Sequence, residues 1–228
     1  MKVTLSFEES ESSDVSIMVD ALRASTTITL AMNSFDRIIP CFTPEEALKL
    51  KKSVGGVLSG EREGKMIDGF DIGNSPAALK DYESDEKTLI LTTTNGTRIL
   101  ENMNSRILVG CLVNAKAVAE KSVELADAHI DVVMAGVKGK FAIEDFLAAG
   151  EIIYWICKSL DEYDLSEYAK SAVLATRNHD LLKEAFLNSR TAKRLIKLDY
   201  KKDVEICCEI NISNNVAIYN NKELTLYI

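Results

Sequence analysis

Asp20-Ala21-Leu22-Arg23-Ala24-Ser25-Thr26-Thr27 sets a carboxylate, a guanidinium and three hydroxyls within one short stretch, directly after the apolar run 15–19. A carboxylate in such a place can hold Mg²⁺, and an arginine flanked by hydroxyls can grip phosphate oxygens. The same residues also read as a helix cap, Asp20, followed by a solvated charge, Arg23. Glu61 and Arg62 repeat the pairing inside GEREGKMIDGFDIGNSP, a segment whose glycines let backbone approach a ligand and which also contains Asn74. It reads equally as a flexible charged loop. In TTTNGTR, the amides around Asn95, Gly96 and Thr97 would face an anion if a helix follows, with Arg98 as counter-charge. Asn-Gly is also a hairpin signal. Glu144 and Asp145 fall in the first turn of a long apolar helix, where the helix dipole alone favours acids. Arg190, in Asn-Ser-Arg, lies within a helical region and reads by itself as surface.

These clusters follow apolar runs, and the turn from strand to helix is where layered α/β proteins bind ligands. Strands are expected at 15–19, 37–42, 54–59, 87–91, 107–112 and 130–135. Helices are expected at 22–32, from Thr43 to Lys51, from Ser75 to Tyr82, at 98–103, from Asn114, and at 143–160. Thr43-Pro44-Glu45-Glu46 carries an N-cap, a proline at the first helical position and an acid at the third. Residues 60–76 keep neither period and are expected as a long surface loop. A mainly helical region to about residue 198 precedes strands near 204–210, 216–219 and 224–228, the last two closed by a hairpin at Asn220-Asn221. The pattern predicts an α/β fold: a layered α/β/α arrangement with a largely parallel or mixed central sheet and an antiparallel addition from the C-terminal end. Residues 1–228 form a single domain in this reading, at most two closely packed halves.

Composition narrows the function further. The chain has 228 residues, 46% of them hydrophobic, and a formal charge of −8 without a basic cluster interleaved with aromatics, which argues against nucleic acid as partner. There is no apolar run of membrane-spanning length and no secretory leader, so a cytoplasmic protein without membrane contact is expected. Five cysteines sit in apolar stretches without metal-binding spacing and read as reduced thiols. With two histidines and no P-loop, HExxH, GxGxxG or DxDxT, most familiar catalytic sets are absent.

VDALRASTT, GEREGKMIDGFDIGNSP, TTTNGT, AGVKGKFAIEDFLAAG and the later Ser189-Arg190, in this order, resemble the 2-phosphosulfolactate phosphatase family, also called ComB. The resemblance implies an α/β fold of the family's own. It also implies Mg²⁺-dependent release of phosphate from 2-phosphosulfolactate, giving sulfolactate, a step of coenzyme M biosynthesis. On that basis Asp20, Glu61 and Asp145, with Glu144 as a substitute, are expected to hold Mg²⁺. Arg23 and Arg62 join Asp20 and Glu61 as catalytic candidates. Ser25, Thr26, Asn74, Asn95, Gly96, Thr97, Arg98 and Arg190 are expected to bind the phosphorylated substrate. Met134 stands where a cysteine is frequent in the family, which speaks against a cysteine nucleophile there. The readings beside this one are a phosphatase for another phosphorylated 2-hydroxy acid and a non-catalytic protein binding an anionic metabolite. A homodimer is the expected assembly.

Overall fold

The computed structural model describes residues 1–94, 99–100 and 103–227. Its strands are β1 (Lys2–Phe7), β2 (Val15–Val19), β3 (Arg37–Cys41), β4 (Val57–Arg62), β5 (Lys65–Met66), β6 (Ile72–Gly73), β7 (Thr88–Thr92), β8 (Arg106–Gly110), β9 (His129–Met134), β10 (Asp164–Leu165), β11 (Ala217–Asn220) and β12 (Glu223–Leu226). The helices, numbered among the described residues, are α1 (Ala24–Ala31), α2 (Pro44–Val54), α3 (Pro76–Leu79), α4 (Ala115–Leu125), α5 (Ile143–Lys158), α6 (Glu167–Ala175), α7 (His179–Leu187), α8 (Arg190–Lys197) and α9 (Lys201–Cys207).

One sheet runs in the order β10-β1-β9-β2-β8-β11-β12-β3-β7-β4-β5, with β6 beside β4. β10, β1, β9, β2 and β8 are mutually parallel, and so are β3, β7, β4 and β6. Between these two parallel sets lies the C-terminal hairpin, β11 antiparallel to β8 and β12 antiparallel to β3. The hairpin turns at Asn221 and Lys222, both at positive φ. The antiparallel addition therefore sits in the middle of the sheet as a seam, and strand polarity along the hydrogen-bonded ladder is opposite in the two parallel sets.

Alternation along the strands sorts side chains onto two faces. Val15, Ile17 and Val19 join Leu108, Ile130 and Val132 in a core closed by α4 and α5, whereas Met18, Val109 and Val133 join Ile28 and Ala31 of α1 in another. On the other parallel set, Leu89 and Leu91 share the α1-side core while Ile90 packs with Ala47 of α2. Helices thus cover both faces of a mixed, mostly parallel sheet, the layered α/β arrangement expected. All five cysteines are free thiols, four of them buried and Cys157 half-buried.

Three readings differ from the observed elements. The segment 204–210 is not a strand: α9 occupies Lys201–Cys207, and its buried Val204, Cys207 and Cys208 follow the three-and-four spacing of a helix. Val-Glu-Ile-Cys imitates strand alternation over four residues, too short a stretch to separate the two periods. β1 was not anticipated, because Lys2 and the acids after Phe7 mask the alternating buried Val3 and Leu5. Residues 60–76 carry the end of β4, then β5 and β6, as well as loop. The helix expected at 98–103 lies partly outside the described residues.

Candidate active site

The C-terminal ends of strands from both parallel sets meet at one cleft. It is lined by Asp20 and Arg23 after β2, Glu61 and Gly64 at the end of β4, Asn74 after β6, Thr93 and Thr94 after β7, and Lys138 after β9. Thr191, Arg194 and Leu195 of α8 close it from the C-terminal half. Carboxyl ends of strands leave their outgoing turns, and hence backbone amides, free to face a ligand.

Asp20 is the buried centre, 6% exposed. Burial, reinforced by the charges of Glu61 and Glu144, raises its carboxyl to about 7 against the pull of the Ala24 amide and of Arg23. Asp145 is raised well above the carboxylate range by burial and by the charges of Asp20 and Glu144. Its Oδ1 accepts from the Ala21 amide at 2.8 Å and its Oδ2 from the Gly136 amide at 2.9 Å, so it ties the turn after β2 to the turn after β9. Gly136 makes this possible: it stands at φ +62°, and a Cβ there would lie 2.5 Å from the Phe7 ring and 2.6 Å from the Lys140 carbonyl. Glu61 is held likewise. Its Oε2 accepts from the Gly64 amide at 2.7 Å, and its Oε1 from the Thr94 amide and hydroxyl at 2.8 and 2.7 Å.

Arg23 is 3% exposed, and its Nη1 donates to Asp203 Oδ2 at 2.7 Å and its Nη2 to the Gly64 carbonyl at 2.8 Å. The Tyr200 ring lies 4.4 Å from its guanidinium carbon. The structure therefore brings Asp20, Arg23, Glu61 and Asn74 to the cleft, with Asp145 and Glu144 behind them. Other candidates fall elsewhere. Ser25 Oγ accepts from the Asp20 amide at 2.8 Å, and Thr26 Oγ1 donates to the Ala21 carbonyl at 3.1 Å; both are fully buried and shape the turn. Arg62 donates to the Phe42 carbonyl and to Thr92 Oγ1 rather than lining the cleft. Arg190 lines a hollow next door with Glu144 and Thr191. Asn95, Gly96, Thr97 and Arg98 lie outside the described residues.

Asp203, Arg194 and Thr191 were missed. Asp203 stands immediately before the segment 204–210 expected as a strand, where a charged residue ahead of an apolar run gives no signal. Thr191 and Arg194 follow Ser189-Arg190 at helical spacing, and that proximity was the available sign.

Two buried oxygens near the cleft, Asn74 Oδ1 and Glu144 Oε1, have no hydrogen-bond partner among the described residues. Orphaned acceptors near a carboxyl raised by burial and by its neighbours' negative charge are what a cation would satisfy. Among the described residues no three carboxylate, imidazole or thiol groups form a cage by themselves. That is compatible with Mg²⁺, which takes one or two carboxylates and completes its shell with water and substrate phosphate.

The profile of the 2-phosphosulpholactate phosphatase family matches residues 3–222. The chain belongs to this family. A protein named 2-phosphosulfolactate phosphatase from Methanothermobacter thermautotrophicus is 48% identical over 226 residues, covering 99% of this chain and 96% of the relative. Another of that name, from Methanocaldococcus jannaschii, is 37% identical over 93% of this chain and 92% of its own. A Clostridium acetobutylicum protein named probable 2-phosphosulfolactate phosphatase is 38% identical over 95% and 94%. The family is one of phosphoric monoester hydrolases, and no helix among the described residues is long and apolar enough to cross a membrane.

Proposed function

We propose that this chain is a Mg²⁺-dependent phosphatase that hydrolyses 2-phosphosulfolactate to sulfolactate and phosphate, as in coenzyme M biosynthesis. The observation that carries the reading is the gathering, at one cleft, of the buried Arg23 with the buried carboxylates of Asp20 and Glu61. The family's membership supports the substrate. Phosphoryl transfer asks a protein mainly for position and for positive charge at the phosphoryl oxygens. Arg23 supplies that charge from a fixed place, and Lys138 and Arg194 add more at the rim. The raised carboxyl of Asp20 in the metal-free site marks a place where a cation, by offsetting the crowded negative charge, would hold it as the carboxylate. Glu61 and Asp145, each held by amides, keep the turns around Asp20 in place. Asp20, Glu144 and Asn74 would hold Mg²⁺, which when bound neutralises charge on the phosphate and lowers the pKa of its water.

The test is release of inorganic phosphate from 2-phosphosulfolactate, phospholactate and phosphoglycerate, with Mg²⁺ and with EDTA. Release preferring the sulfonate and abolished by EDTA is expected. Preference for another hydroxy acid would move the substrate, and release indifferent to EDTA would remove the metal.

A further inference from the structure

Asp203 lies 180 residues from Arg23 in sequence and touches three separate parts of the site. It is 1% exposed. Its Oδ2 accepts from Arg23 at 2.7 Å, while its Oδ1 accepts from Ser75 Oγ at 2.6 Å and from the Ala77 amide at 3.1 Å. Ser75 is the N-cap of α3 and follows Asn74, so one carboxylate joins the turn after β2 to the turn after β6.

A guanidinium has five N–H donors. Asp203 and the Gly64 carbonyl engage one on each terminal nitrogen of Arg23, and the Tyr200 ring covers the group. Asp20 and Glu61 line the same cleft as Arg23. With no anion on its far side, the guanidinium would be drawn to Asp20, Glu61 and Glu144 and would neutralise them instead of meeting a substrate. A buried ion pair is, moreover, a weak source of stability, since apolar residues of like volume commonly do as well.

We propose that Asp203 is a positioning residue: it holds the Arg23 guanidinium back from the acidic centre, in the place where it receives the phosphoryl group. The inference rests on the phosphatase reading above and extends it to α9, which the hydrolytic chemistry does not otherwise use. Asp203→Asn keeps a carbonyl oxygen that can accept from Ser75 Oγ and the Ala77 amide and sets an uncharged amide against Arg23, so that substitution acts chiefly through Arg23.

The experiment is a double-mutant cycle on phosphate release from 2-phosphosulfolactate, using wild type, Asp203→Asn, Arg23→Met and the double variant, with folding checked by thermal melting. Asp203→Asn is expected to lower kcat about 10- to 100-fold, the usual cost of losing an outer-shell partner, with KM changed less than about threefold. In the Arg23→Met background the same substitution should cost less than about threefold. Equal losses in both backgrounds, or a single variant with wild-type kcat, would overturn the proposal. Should Asp203→Asn fail to fold, Asp203→Glu keeps the charge but displaces it by one methylene; the expected tenfold fall in kcat at unchanged Tm again decides, and an unchanged kcat refutes. Inorganic phosphate binding by calorimetry separates this inference from the reading it rests on: an inactive wild type sinks the phosphatase, while weaker phosphate binding in Asp203→Asn than in wild type still supports positioning, and equal binding denies it.

Discussion

At Asp20 the role proposed above and stability pull in opposite directions. An acid whose folded-state carboxyl is raised to about 7 contributes stability that is fully present below its unfolded value near 3.8 and lost as pH rises through 7. The carboxamide of an Asp20→Asn variant has no charge to bury. Metal-free Asp20→Asn should therefore be more stable than wild type at pH 8 by on the order of 2–4 kcal/mol, and the gap should close towards pH 4. Thermal melts across pH in EDTA check this; a variant less stable than wild type at pH 8 would show that burial and neighbouring acids do not strain this carboxyl. The residue types of the site were legible in the sequence where a strand ended in a charge, as at Asp20, Arg23 and Glu61. Roles were less so. Ser25, Thr26 and Arg62 have the chemistry of phosphate ligands, yet their hydrogen bonds go to backbone and to Thr92, because turns that sharp need their own polar groups to satisfy the main chain.

At the scale of elements, the two ends of the first parallel set divide the work. Cleft residues leave from the carboxyl ends, whereas Asp14 binds the amino ends together. Its Oδ2 accepts from the amides of Asp127, Ala128 and His129 ahead of β9, and its Oδ1 from Arg106, which opens β8. Burial favours the protonated form of Asp14, but the amides of Ala128 and His129, Arg106 and the Asp127 amide outweigh it and lower the group to about 2. Its contribution is therefore present above pH 3.8 and lost as pH falls through 2. Asp14→Asn should cost about 1–2 kcal/mol near neutrality and flatten the acid limb of unfolding, with kcat/KM unchanged. Acid titration by circular dichroism, with kinetics in parallel, measures both; a fall in kcat/KM would mean that the two ends are coupled. Strands and caps with strong local signals, such as β2 and the Thr43 cap of α2, were legible from sequence. α9 was not, since its helical period shows only over more residues than its apolar stretch provides, and with it went Asp203.

Across the whole molecule, the C-terminal segment completes what the N-terminal half begins. The hairpin β11–β12 enters the centre of the sheet and joins parallel sets of opposite polarity along the ladder, and α8 and α9 bring Arg194 and Asp203 to a cleft whose carboxylates come from earlier in the chain. The layered α/β class could be read from alternating strands and helices. The seam could not, because nothing local in Val-Ala-Ile-Tyr tells an edge strand from a central one. If turnover takes place at the Asp20 cleft, phosphate release from 2-phosphosulfolactate by Asp20→Asn at saturating Mg²⁺, with melting confirming the fold, must show it. A loss of kcat of at least about 100-fold is predicted, as for removal of a carboxylate that would hold the metal ion. Activity within about threefold of wild type would place the chemistry elsewhere.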